Sequence, residues 1–342
     1  MTQLNSAFTL FLSLLVEAMP FLLIGVLFSG LLQFFVDERK LVAIMPKNPF
    51  LGALFGSCVG FLFPVCECGN VPVARRLLMQ GAPVSVAIGF LLAAPTINPI
   101  VFWATWTAFR DQPEIVVYRI IFSLTIATII GWIFSAQADI RPLLQPGVAA
   151  FVSRRQEAAT RPELPSPLST SPLLQSGTYF LGQSAKPMNT NPAELEAELM
   201  SAVNKPLSYR LRLLLDNTVQ EMRELGGVLV LGSAIAATLQ VFAPRELILS
   251  LGQDQVTSIL AMMLLAAVVS ICSTVDSFFA LSFASTFTTG SLVSFLVFGP
   301  MIDLKGVGLM ISVFRARAIF YIFGLAALLT FSFTLFLNLY IS

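Results

Sequence analysis

Two thiols stand one residue apart at Cys66-Glu67-Cys68, directly after Phe63-Pro64-Val65 and directly before Gly69-Asn70. Thiolates are soft ligands, so a C-x-C pair suits a thiophilic centre such as Cu(I), Zn or trivalent arsenic. A third thiol, Cys272, opens Cys272-Ser273-Thr274-Val275-Asp276-Ser277. Cys58 stands in a Gly/Ser-rich apolar stretch and reads as a small buried hydrophobe. Around the thiols, polar residues interrupt apolar sequence: Glu67, Asn70, Asn98, Asp276 and Asp303. At membrane depth such residues are costly and mark function. Asn70 and Asn98 are the expected hydrogen-bonding partners of a solute, with Cys66, Cys68 and Cys272 as its thiol contacts. Glu67, Asp276 and Asp303 are the proton-coupling candidates. The bland alternative is that they cap half-helix ends, whose backbone groups lack intrahelical partners, and that Asp303 only pairs with Lys305. The chain has no His, which removes the commonest general base, metal ligand and pH switch.

The elements that must carry these residues are membrane helices. Of 342 residues, 56% are hydrophobic and only 11% charged, and mean hydropathy is +0.83. A soluble domain carries roughly 25% charged residues, so a soluble enzyme and a disordered chain are excluded. Net charge is +1, which gives no basic field for nucleic acid. There is no Walker loop, G-x-S-x-G or zinc-protease helix. No enzyme activity, resident metal or cofactor is expected. A crossing helix needs about 20 apolar residues. Candidate spans cover 18–36, 83–109, 120–135, 225–244, 255–275, 277–302 and 318–342. No basic region opens the chain, so no cleavable signal peptide is expected. Stretches 50–80 and 255–289 are apolar but broken at the two thiol motifs. Re-entrant hairpins with buried tips fit them better than full crossings. Residues 2–17 and 207–223 read as amphipathic segments lying along the interface. Residues 137–207, Pro/Ser-rich in the middle, form a linker.

The halves repeat. Gly25 and Gly232 lie 207 apart, as do Gln33 and Gln240; Cys66 and Cys272 lie 206 apart, as do Asn70 and Asp276; Asn98 and Asp303 lie 205 apart. The expected fold is therefore an all-α polytopic membrane protein of two inverted repeats, each with transmembrane helices and a broken hairpin. Residues 1–136 form the first repeat, 137–207 a cytoplasmic linker and 208–342 the second. With three crossings per half and the N-terminus outside, Arg39, Lys40, Lys47, Arg75, Arg76, the linker, Arg315 and Arg317 fall on the cytoplasmic side. Arg110, Arg119 and Arg245 fall outside, beside Asp111, Glu114 and Glu246. This asymmetry matches the positive-inside rule. A parallel repeat with four crossings per half fits the charges less well. Inverted repeats with broken helices at the midplane are a transporter signature.

At Phe63-Pro64-Val65-Cys66-Glu67-Cys68-Gly69-Asn70 and Ala94-Pro95-Thr96-Ile97-Asn98-Pro99, the chain resembles the ArsP-type permease family. Cys272–Phe278 and Gly299–Asp303 carry the resemblance into the second half. It implies a multi-pass inner-membrane permease that exports trivalent organoarsenicals such as methylarsenite, with Cys66, Cys68 and Cys272 handling arsenic. The expected function is a secondary transporter working by proton antiport. The alternatives are a permease for another small solute and a membrane dithiol redox or metal-delivery protein. The expected partners are a small-molecule solute and the lipid bilayer. A homo-oligomer is compatible with this reading; a nucleic-acid partner is not.

Overall fold

The computed structural model describes residues 2–35, 45–46, 48–62, 67–136, 141–149, 207–242, 254–284 and 286–340. Among these, twelve α-helices occur besides a helical stretch at 146–149, and no strand longer than an isolated bridge. The first half runs α1 (Thr2–Phe35), α2 (Pro49–Val59), α3 (Glu67–Met79), α4 (Val84–Ile97), α5 (Pro99–Ala108) and α6 (Pro113–Ser135). The second runs α7 (Leu207–Phe242), α8 (Gln255–Val269), α9 (Asp276–Leu281), α10 (Thr289–Met301), α11 (Leu304–Met310) and α12 (Ala316–Tyr340). Among the described residues, four continuous or nearly continuous stretches are long and apolar enough to cross a bilayer: Val84–Ala108, Pro113–Ser135, Thr289–Met310 and Ala316–Tyr340.

Local chemistry sets the ends of these helices. Asn48 caps α2 by accepting from the Phe50 N–H at 3.1 Å, and Pro49 pre-sets the first helical φ. Eleven residues reach only about 16 Å, half of a ~30 Å hydrocarbon core. α2 by itself is therefore too short to cross one. α3 ends in a Schellman turn: Ala82 N donates to Leu77 O and Gly81 N to Leu78 O, with Gly81 at φ 86°. α8 stops at Ser270, which takes the left-handed conformation at φ 49°.

Helix order recurs in the two halves. Thr2 and Leu207, Val84 and Thr289, and Pro99 and Leu304, which open α1/α7, α4/α10 and α5/α11, each lie 205 residues apart. Packing is reciprocal as well. α1 packs on its mate α7, α4 on α10 and α6 on α12; α5 packs on α9, and its mate α11 packs on α3. In the first half, α2, α4 and α6 approach through glycine. A Cβ on Gly56 would strike the Val86 backbone, and one on Gly60 would lie 2.7 Å from Ala94 Cα. One on Gly131 would lie 2.8 Å from the Ser85 carbonyl oxygen. Small residues of this kind let helices pack closely in lipid.

Several expectations change. Residues 2–17 and 207–223 are continuous with the spans that follow, in α1 and α7, and do not form separate interfacial helices. The span expected at 277–302 is not one helix. It breaks after Leu281, and the apolar stretch instead starts at Thr289 and runs past Asp303 to Met310. Cys58 is exposed, because Gly52, Ala53, Gly56 and Ser57 take the packed side of α2. Arg75 and Arg76 are not surface charges; α3 is buried along its whole length among α1, α4 and α11. Of the expected linker, 141–149 is described and 150–206 lies outside the described residues. Leu144 bridges to Phe314, Gln145 N donates to Val313 O at 2.9 Å, and Gln145 Nε2 donates to Ile311 O at 2.8 Å. The start of the linker is thereby tied to the turn between α11 and α12.

Candidate functional site

A polar residue stands at four helix starts: Glu67 at the first described residue of α3, Asn98 before α5, Asp276 opening α9 and Asp303 before α11. A helix start leaves four N–H groups without intrahelical acceptors and carries partial positive charge. Asn98 and Asp303 answer that need directly. Asn98 Oδ1 accepts from Val101 N at 2.9 Å, and Asp303 Oδ1 accepts from Gly306 N at 2.6 Å. Both side chains are buried. Leu304 N donates to Ser270 Oγ at 3.1 Å, which joins the break of the second hairpin to the break between α10 and α11. The matching residue in the first half, Pro99, has no N–H to satisfy. Asn98 and Asp303 are therefore caps in this structure.

Asn70 is different. It is fully buried in the first turns of α3, and neither its Oδ1 nor its Nδ2 finds a hydrogen-bond partner among the described residues. An unsatisfied buried amide costs roughly 1–3 kcal/mol, so native structures seldom keep one without a reason. Glu67 and Cys68, also buried, precede it on the same helix. Cys66 lies outside the described residues, so the geometry of the Cys66/Cys68 pair is not on view. Cys272 is buried in the bend before α9, its Sγ 3.5 Å from Thr274 Oγ1. No group of three or more His, Cys, Asp or Glu residues arranged to hold a metal occurs among the described residues.

Asp276 belongs to a network that joins the halves. Arg119 on α6 donates from Nη2 to Asp276 Oδ2 at 2.7 Å and from Nη1 to Oδ1 at 3.1 Å. Nη1 also reaches Thr105 Oγ1 on α5 and Ser277 Oγ on α9, each at 2.8 Å, and Nη2 reaches the Ser273 carbonyl at 3.3 Å. Thr105 and Ser277 hydroxyls meet at 3.0 Å. Arg119 is 1% exposed and Asp276 4%, so the paired charges are held away from solvent. The fork-shaped, two-bond geometry is the strong form of this interaction.

Arg119, Thr105 and Ser277 were not among the expected site residues, and Arg119 was placed with the outside charges. The signal was present. Pro113-Glu114 marks a helix start, with Pro at the first position and an acid in the first turn. Starting the span there puts Arg119 inside it, where a charge demands a buried partner.

A family model described as a predicted permease matches residues 3–339. The chain belongs to the ArsP_1 predicted permease family. Its relatives include the UPF0718 protein YcgR of Bacillus subtilis (strain 168), 38% identical over 93% of this chain and 91% of the relative. A Streptococcus mutans serotype c (strain ATCC 700610 / UA159) protein, provisionally named a two-component membrane permease complex subunit, is 31% identical over 94% of this chain and 91% of its own. No solved structure matches the chain. With its apolar helices, this membership makes the protein a membrane permease and points to a transporter rather than an enzyme.

Proposed function

We propose that the protein is a secondary transporter that exports a small thiophilic solute, a trivalent organoarsenical such as methylarsenite, by proton antiport across the plasma membrane. The observation that carries this reading is the start of α3: a buried Cys68 and, two residues on, a fully buried Asn70 whose amide has no hydrogen-bond partner among the described residues. Methylarsenite offers arsenic for thiolates and hydroxyls for an amide, so one small neutral solute answers both. Cys66 and Cys272 complete the thiol path in this reading. Passage between one or two thiols allows release, whereas closed chelation would hold the solute.

The inverted arrangement has support from the strap at 141–149. Ser135 ends α6 six residues before Arg141, too few to recross about 30 Å of hydrocarbon. The strap is bonded to the turn that opens α12. The end of α6 and the start of its mate α12 then share one side, and the two mates run in opposite senses. The positive-inside rule makes that side cytoplasmic and puts both termini outside.

Uptake of methylarsenite into everted membrane vesicles tests the proposal. Wild type is compared with Cys66→Ser, Cys68→Ser and Cys272→Ser. Expected is uptake in wild type, driven by an acidic lumen and lost in Cys68→Ser. Well-expressed protein without uptake would overturn the organoarsenical assignment. A second reading comes from the Streptococcus mutans relative's name: the chain is one component of a two-component permease. Uptake by the purified chain alone in proteoliposomes decides against that reading.

A further inference from the structure

We infer that the Arg119–Asp276 pair is a charge-neutral latch between the two halves, and that Arg119 makes movement of the second hairpin conditional on neutralising Asp276. The inference rests on the transporter reading above but is tested without any solute.

The argument begins with how α9 is held. It is six residues long, begins after the bends that follow Ser270, and is followed by turns at 282–284. It packs on α5 and α10, while Val275, Phe278 and Leu281 are exposed. Its polar attachment to the first half is the Arg119 network: Asp276, Ser277 and the Ser273 carbonyl on one side, Arg119 and Thr105 on the other. No first-half side chain other than Arg119 is ion-paired with Asp276 among the described residues.

Separating these groups as full charges is prohibitive in a site this dry, because the interaction between unit charges strengthens steeply as the effective dielectric falls. A proton on Asp276 removes that barrier. The carboxylic acid still has Ser277 as a neighbour, and the guanidinium keeps Thr105, which moves with α5 and not with the hairpin. The groups that face Asp276 are few. α5 and α10 bring no titratable side chain to it, α6 brings Arg119, and the hairpin itself carries Cys272, engaged with Thr274.

Thr105 and Ser277 allow a direct readout. Cysteines at both positions, side by side across the latch, can be oxidised to a disulfide between the halves. The native cysteines are replaced by Ser, and a protease site is placed in the Pro/Ser-rich part of the linker. After cleavage the two fragments stay joined only if the disulfide formed. The Phe122→Cys/Phe333→Cys pair, from rings in contact between α6 and α12, reports the intrinsic pH dependence of oxidation. Expected is a latch-to-control rate ratio that falls several-fold from neutral to mildly acidic pH. In Arg119→Gln/Asp276→Asn, which carries no charge at the latch, the ratio is expected to stay flat. A flat ratio in the charged protein, an equal fall in the neutral variant, or no cross-link at any pH each overturns the latch. Methylarsenite uptake plays no part in this readout, so its failure would leave the latch result intact.

Discussion

The first hairpin ends in α3, thirteen residues buried along their whole length; its mate ends in α9, six residues of which Phe278 and Leu281 are exposed. α2 is sealed to α4 by glycines whose Cβ atoms would strike backbone, whereas a Cβ on Gly299 would sit 3.4 Å from Ala266, near ordinary contact. The polar groups follow the same division. α3 keeps Asn70 without a hydrogen-bond partner among the described residues, while α9 closes both carboxylate oxygens of Asp276 into a network with Arg119. An element gripped on all sides can hold an unsatisfied group in place for a solute. An element gripped in few places needs an attachment that can be made and broken.

Removing one charge of the Arg119–Asp276 pair should have the largest effect. Arg119→Gln or Asp276→Asn alone leaves a buried, unpaired charge and is expected to cost about 3–5 kcal/mol. The double variant should recover most of that loss in thermal unfolding of the detergent-solubilised protein. Recovery absent from the double would mean the network stabilises through its geometry and not through charge balance. Next in size is the glycine seam. Gly56→Ala should lower stability by about 1–3 kcal/mol through overpacking, while Gly299→Ala should be neutral or mildly stabilising, since Ala is the better helix former. Equal losses at both would erase the contrast between a fixed and a loosely held hairpin.

Smaller effects should separate the caps from the site. Asn98→Ala loses a helix N-cap, worth about 1 kcal/mol, seen as a lowered unfolding temperature; Asp303→Ala should lower it further, because it also takes a carboxylate from beside the buried Lys305. Asn70→Leu should cost no stability, because it removes an unsatisfied amide at similar volume, yet abolish methylarsenite uptake. A variant at Asn70 that unfolds as readily as the cap variants would show that its amide has a partner and is no solute contact.

Much of this was legible in the residues. The apolar runs, the break at Cys272–Asp276 and an offset of 205 between helix starts reappear as helix order, while the break expected at Cys66 lies outside the described residues. Asn98 and Asp303 stood out because polar residues after a proline in apolar sequence are rare, but sequence could not decide between cap and solute contact. Only the bonds to Val101 and Gly306 do that. Arg119 was missed for a different reason. Its partner lies 157 residues away, and a lone Arg near a loop reads as a surface charge unless the helix start at Pro113 is given weight. The burial of Arg75 and Arg76 was equally hidden, since α3 mixes charged and polar residues with apolar ones and so reads as a surface helix, yet it is covered by α1, α4 and α11.

The most direct test of the central claim, that the start of α3 contacts the solute, is protection of cysteine from alkylation. Wild-type membranes are treated with a small membrane-permeant alkylating reagent with and without methylarsenite, and labelling of each cysteine is followed by mass spectrometry. Cys58, exposed on α2, serves as the internal reference. The account predicts that methylarsenite slows alkylation of Cys68 relative to Cys58, and that Asn70→Leu weakens this protection. Cys68 labelling unchanged relative to Cys58 at concentrations where methylarsenite is transported would contradict it.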